Sequence, residues 1–142
     1  MIREYKLSDL NIILDIWLTA SINSHRFISS EFWESQLEDM RDIYIPNSET
    51  YVFERDRKVA GFYSLNGSSL AAIFVYPHVQ GQGIGKQLLS HAKSQRSHLT
   101  LSVYKENTPS YHFYLSQGFL PIKEQLDKHT GHIEYLMSNK AQ

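Results

Sequence analysis

Residues 80–85 read Gln80, Gly81, Gln82, Gly83, Ile84, Gly85, and they lie between an apolar run at 70–76 and an amphipathic stretch that begins at Lys86. A turn this rich in glycine, leaving a strand and entering a helix, confines the chain to few folds. Without a Cβ the backbone takes φ > 0 freely, so successive N–H groups can face one anion while the dipole of the next helix adds a favourable field. A phosphate grip is the expectation. Two nucleotide patterns do not fit it. A P-loop needs glycine at 80 and Ser or Thr at 87, where Gln80 and Gln87 stand, and a dinucleotide fingerprint needs glycine at 86 or 88, where Lys86 and Leu88 stand.

The rest of the chain narrows the setting. Its 142 residues, 42% of them hydrophobic, suffice for one domain, 1–142, with a core of its own. A net charge of −1 without runs of like charge leaves no footprint for nucleic acid or an anionic membrane, so neither is expected as a partner. The absence of cysteine removes disulfides, thiolate metal sites and a cysteine acyl-enzyme, and no histidine or carboxylate set has metal-ligand spacing, so no metal is expected. Arg3, Glu4, Lys6, Asp9 and Asp15 interrupt the opening residues, which form neither a signal-peptide core nor a membrane span; a cytoplasmic protein is the expectation.

Periodicity divides the chain into elements. Residues 2–5 read as a strand, and Ser8 as the cap of a helix whose apolar positions Leu10, Ile13, Leu14, Trp17 and Leu18 recur at helical spacing. A polar segment at 21–30 leads to a second helical pattern, Trp33, Leu37, Met40 and Tyr44, closed by Pro46. Residues 51–54 and 59–65 form a hairpin about a polar turn at 55–57, and Asn66, Gly67 and Ser68 turn the chain into 70–76. After the glycine turn come a helix carrying Ile84, Leu88, Leu89 and Ala92, a strand at 99–104, and a short helix at 109–117 closed by Gly118. A hairpin from 119–126 and 132–137 ends the pattern.

Gln80, Gly83 and Gly85 fit Q/R-x-x-G-x-G/A, and the run from Asn107 through Ser110, Phe113 and Tyr114 to Gly118 and Phe119 fits N-x-x-A/S-x-x-F/L-Y-x-x-x-G-F. Both motifs, in this order, resemble those of the GNAT superfamily of N-acetyltransferases, most nearly its small bacterial single-domain members, which include protein lysine acetyltransferases. The order β-α-α-β-β-β-α-β-α-β-β extends the resemblance over the whole chain. It implies an α/β (α+β) class, the GNAT acyl-CoA N-acyltransferase fold: a mixed, mostly antiparallel sheet of about seven strands, splayed at its centre and flanked by about four helices. It implies acetyl-CoA as cosubstrate and direct transfer to an amine, whether a protein lysine or a small amine, by a monomer or homodimer. A non-catalytic acyl-CoA-binding module that keeps the loop without turnover is the rival from another class.

By the same resemblance, backbone N–H groups of Gln80, Gly81, Gln82, Gly83, Ile84, Gly85 and Lys86 hold the CoA pyrophosphate. The Phe74 and Val75 backbone would pair with pantetheine as an added strand, in a slot between 70–76 and 99–104. Asn107 matches the family's CoA-contacting asparagine, although asparagine ahead of Pro109 also suits a plain turn. Tyr114 matches the tyrosine held at the thioester sulfur, where a phenol can supply the proton a departing thiolate takes up. Tyr111, Tyr114 and Leu115 also share a helical face and can simply pack.

The acceptor must lose a proton. An amine of pKa near 10.4 is neutral about once in a thousand molecules at pH 7.4, equivalent to roughly 4 kcal/mol. Many family members carry a glutamate on the strand before the loop, whereas 70–76 here holds no carboxylate. His25, between the first two helices, is the candidate base, with Tyr63, Glu31 and Tyr104 behind it and a water relay as the alternative. Phe27, Ile28, Phe32 and Trp33 suggest a partly aromatic acceptor wall.

Overall fold

The computed structural model describes residues 1–140, and its elements follow the expected order. Strand β1 (Ile2–Glu4) leads to helices α1 (Leu10–Ser24) and α2 (Ser30–Ser35), then to strands β2 (Glu49–Arg55), β3 (Lys58–Asn66) and β4 (Ser69–Val75). Helix α3 (Ile84–Gln95), strand β5 (Thr100–Tyr104), helix α4 (Thr108–Ser116) and strands β6 (Leu120–Asp127) and β7 (His132–Ser138) complete it. The sheet runs β1-β2-β3-β4-β5-β7-β6 and is antiparallel except between β4 and β5.

Period-2 alternation sends neighbouring strand residues to opposite faces, and each face buries its own core. Val52 and Phe62 meet Ile13, Ile16 and Trp17 of α1 and Trp33 of α2, whose indole lies edge-on to that of Trp17 at 5.8 Å. Phe53, Tyr63 and Leu65 meet Ile84, Leu88, Leu89 and Ala92 of α3, with Phe119 and Met137 beyond them. The sheet is thus clamped from both sides.

Three local departures from the sequence reading have physical causes. Ser8, expected to cap α1, lies inside a 3₁₀ turn at Leu7–Asp9. Asp9 organises this corner instead: its carboxylate accepts from the Lys6 N–H at 2.8 Å and from the Arg3 guanidinium at 2.9 and 3.0 Å. That guanidinium holds the Asp9 carboxyl below the usual carboxylate range.

The second helical pattern breaks after Ser35. A short turn at Leu37–Asp39 and a π-turn at Met40–Tyr44 replace a continuous helix, the Ile45 N–H donating to the Met40 carbonyl at 3.0 Å. Met40 and Ile45 both bury, at a five-residue spacing that an i→i+5 turn aligns and an α-helix does not. Between β2 and β3 the turn is tighter than expected. Asp56 and Arg57 take φ of 54° and 64°, the left-handed pair of a two-residue hairpin, without the Asn-Gly that announces one.

Candidate active site

Strand β4 ends at Val75, and a 3₁₀ turn at Pro77–Val79 carries the chain to the glycine turn. The Gln80 side-chain amide donates to the Val75 carbonyl at 3.1 Å, tying the turn to the strand it leaves. Gly81 and Gly83 both have φ of 82°, a region costly for any residue with a Cβ, and α3 starts at Ile84. The Gln80 N–H, expected among the phosphate donors, is instead spent on the Pro77 carbonyl at 3.3 Å in the 3₁₀ turn; among the described residues no protein acceptor meets the N–H groups of residues 81–86, and the next N–H to find one is that of Gln87, on the Gly83 carbonyl at 3.1 Å. Six consecutive donors at a helix N-terminus suit an anion. Lys86 is exposed beside them, and Gln82 accepts from Arg55 at 2.7 Å.

The second element is a gap in the sheet. Strands β4 and β5 are paired only at Ser69 and Thr100, where the Thr100 N–H donates to the Ser68 carbonyl at 3.0 Å. Past that point β4 stays with β3 up to the Gly61–Val75 pair, while β5 stays with β7 as far as Tyr104–Glu134. The strands therefore splay, and the β4 edge from Ala71 to Val75, including Phe74, faces the slot without a strand partner. Such an edge accepts an extended amide-bearing ligand as a substitute strand.

Helix α4 packs against β5 on the α3 side and meets the glycine turn: Phe113 comes to 3.9 Å of the position a Cβ on Gly85 would occupy. Tyr114, next on that helix, is half-buried with its ring edge-on to Phe119 at 6.0 Å. Its hydroxyl bonds to no described protein group, and burial raises its pKa well above the ordinary phenol value, so it remains protonated at neutral pH. The structure thus brings the glycine turn, the slot and the Tyr114 helix together.

His25 and Asn107 meet on the other side of β5. The Asn107 side-chain amide lies 3.2 Å from His25 Nε2, and its carbonyl oxygen accepts from the Ser110 N–H at 3.4 Å as the N-cap of α4. His25, 8% exposed, is enclosed by Phe27, Trp33 and Tyr104 at ring distances of 5.8, 5.3 and 5.2 Å. Burial pushes its pKa down to about 4, the nearby Ser21 carbonyl offsetting part of the fall.

The other residues weighed for the base stand elsewhere. Tyr63 is fully buried and bonds His91 at 2.5 Å, and Glu31 lies exposed in the first turn of α2. The Tyr104 hydroxyl donates to Asp127. Burial and that carboxylate raise the Tyr104 pKa, whereas hydrogen bonds from Tyr104, the His129 N–H and Thr130 hold Asp127 low against the upward push of its own burial. Of the proposed acceptor wall, Ile28 and Trp33 sit in the α1 core, while Phe27 packs on Tyr104 and His132. The Arg55–Gln82, Phe113–Gly85 and His25–Asn107 contacts join residues far apart in sequence and had no local signal.

Residues 46–121 match the family model of the acetyltransferase (GNAT) domain. The chain is 41% identical over 120 residues to the peptidyl-lysine N-acetyltransferase YiaC of Escherichia coli (strain K12), covering 84% of this chain and 82% of that one. The solution structure of apo-form YjaB from Escherichia coli is similar at a TM-score of 0.87 and 25% identity, covering 100% of this chain and 98% of that one. The PaiA N-acetyltransferase from Thermoplasma acidophilum, solved in complex with coenzyme A, shares the fold at a TM-score of 0.83 and 18% identity, covering 99% of this chain and 98% of that one. This chain belongs to the GNAT acetyltransferase family. It is an acyltransferase that moves an acetyl group from acetyl-CoA to an amine.

Proposed function

We propose that the chain acetylates lysine side chains of proteins, with the glycine turn holding the CoA pyrophosphate and Tyr114 acting as the general acid. The observation that carries the acceptor class is the 41% identity to a peptidyl-lysine acetyltransferase over four-fifths or more of both chains. Among the described residues, no helix is long and apolar enough to cross a membrane.

The donor supplies an activated thioester, whose carbonyl carbon bonds to the amine nitrogen as the carbon–sulfur bond breaks. The protein's part is placement and proton supply. The N–H groups of residues 81–86 bind the pyrophosphate, and the open β4 edge at Phe74 and Val75 aligns the pantetheine arm in the slot. Tyr114 has a protonated hydroxyl with no protein acceptor to satisfy, which leaves it free to protonate the departing sulfur. β4 offers no carboxylate and His25 Nε2 is taken by Asn107, so in this reading the amine gives its proton to water.

Thiol release with acetyl-CoA, run on lysine peptides and on free amines, tests the acceptor; equal or faster turnover of free amines would refute the lysine reading. Tyr114→Phe tests the acid. Its kcat is expected to fall about 100-fold with KM for acetyl-CoA unchanged, the size of one lost acid–base group. An unaltered kcat would remove Tyr114 from the chemistry.

A further inference from the structure

We propose that His25 is a positioning residue for acetyl transfer: through Asn107 it fixes the first turn of α4, and with it the Tyr114 phenol. This rests on Tyr114 as the acid. It gives His25 a role different from the base its place in the sequence suggested.

The hydrogen-bond logic leaves little freedom. An asparagine nitrogen can only donate, so at 3.2 Å His25 Nε2 must accept, and the ring hydrogen of the neutral imidazole sits on Nδ1. The orientation of the Asn107 amide follows independently from its other end, where the oxygen accepts the Ser110 N–H. Nδ1 is buried without a hydrogen-bond partner, turned back toward the last turn of α1. No lone pair of the ring is therefore free to take a proton from an amine in the slot. Protonating Nε2 would set two donors face to face and release the cap.

The same bonds give the ring its lever arm. His25 closes α1, its own N–H donating to the Ser21 carbonyl at 2.9 Å. The path then runs from His25 to Asn107 to Ser110, joining the end of α1 to a turn 82 residues away. Tyr114 lies four residues past Ser110, one turn along the same face of α4. At the far end of α4, Lys93 of α3 donates to the Gln117 carbonyl. The helix is held at both ends, and the His25 end is the one tied to α1. The groups facing the ring are Trp33 of α2, Phe27 from the α1–α2 segment and Tyr104 of β5; Tyr104 gives its hydroxyl to Asp127, and His132 packs behind Phe27.

The test is a double-mutant cycle in kcat. His25→Leu removes the acceptor for Asn107 and is expected to lower kcat about 10- to 100-fold with KM for acetyl-CoA little changed, the cost of a misplaced catalytic group. In the Tyr114→Phe background the same substitution is expected to cost less than about threefold, because a residue acting through Tyr114 has nothing left to position. His25→Gln, whose amide oxygen can accept from Asn107, is expected to restore most of the loss and keep both limbs of the wild-type pH–rate profile.

An equal kcat loss for His25→Leu with and without Tyr114, or loss of the acidic limb in His25→Gln, would overturn the proposal. Should His25→Leu not fold, ¹⁵N NMR of the wild-type ring decides: Nδ1–H with a bare Nε2 supports the proposal, and Nε2–H overturns it. A Tyr114→Phe enzyme with full kcat would strike the acid reading instead, and that result is separate from the tautomer.

Discussion

Acid should weaken this fold through one buried side chain. The His25 pKa falls from an ordinary 6.5 to about 4 because desolvation disfavours the imidazolium, and Nε2 is already occupied by Asn107. The folded protein therefore holds this proton less readily than the unfolded chain does. The contribution is intact above about pH 6.5, declines as pH falls, and is fully lost below about 4. Linkage over that interval gives about 3 kcal/mol in total, of which about 2 kcal/mol disappears between pH 7 and pH 5. Against a typical domain stability of about 5–15 kcal/mol this is a large share.

Other groups must be kept apart from it. Asp9 and Asp127, both held low, lose their contributions only as pH drops through the lower carboxylate range. Glu134 acts in the opposite sense: burial, with the charge of Asp127, raises its carboxyl, so the folded state takes that proton first and gains as pH falls. Comparing wild type with His25→Gln cancels all three. Urea unfolding from pH 7.5 to 4.5, followed by fluorescence of Trp33, 5.3 Å from the His25 ring, reads the slope rather than the absolute stability. Wild type is expected to lose about 2 kcal/mol more than the variant from pH 7 to 5. Equal losses in the two proteins would refute a neutral, buried His25.

Gly83→Ala, at φ 82° with nothing within 4 Å of the new methyl, is expected to cost about 1–2 kcal/mol of backbone strain and to raise KM for acetyl-CoA more than it lowers kcat; unchanged kinetics would detach the turn from donor binding. Gly61→Ala would set a Cβ 2.9 Å from the Phe74 carbonyl oxygen and 3.1 Å from Leu88, so urea unfolding should show a loss of about 1–3 kcal/mol as β3 and α3 separate. Coenzyme A at 100 times its Kd should stabilise the fold by about 2.7 kcal/mol, read as a rise in Tm, and Gly83→Ala should shrink that rise at equal ligand. No rise for wild type would refute binding by the free protein.

The sequence showed what local physics controls. The glycine turn, the amphipathic α3 and the β2–β3 and β3–β4 hairpins were legible because periodicity and turn residues act within a few positions. Ser8 misled because the capping carboxylate was chosen by Arg3 on β1 and Glu54 on β2, neither of which belongs to the helix. The break after Ser35 was hidden because Trp33, Leu37, Met40 and Tyr44 keep helical spacing, and only the burial of Ile45 reveals the wider turn. At the site, motif residues could be named, but the partners that orient them could not. Asn107 was visible as a ligand or a turn residue; its bond to His25 depends on α1 and β5 being brought side by side.

The open slot itself needs a physical reason, since an internal strand edge without a partner would ordinarily be closed or covered. Closing it would require β5 to move toward β4, breaking five register pairs with β7 and the seat of α4 on β5. Moving β4 instead would pull Val75 away from Gly61 and Leu70 away from Leu65, on a strand pair held from both faces by α1 and α3. Ile16 on one face and Leu88, Leu89 and Ala92 on the other are almost wholly removed from water, so either movement opens apolar cavities costing more than the few hydrogen bonds it would form. The gap is therefore held apart by the two cores, and the six free N–H groups lie at the end where β4 leaves the sheet. In the proposed binding mode the donor's amides complete a ladder that the packing keeps open, with the Tyr114 helix already seated on its far wall.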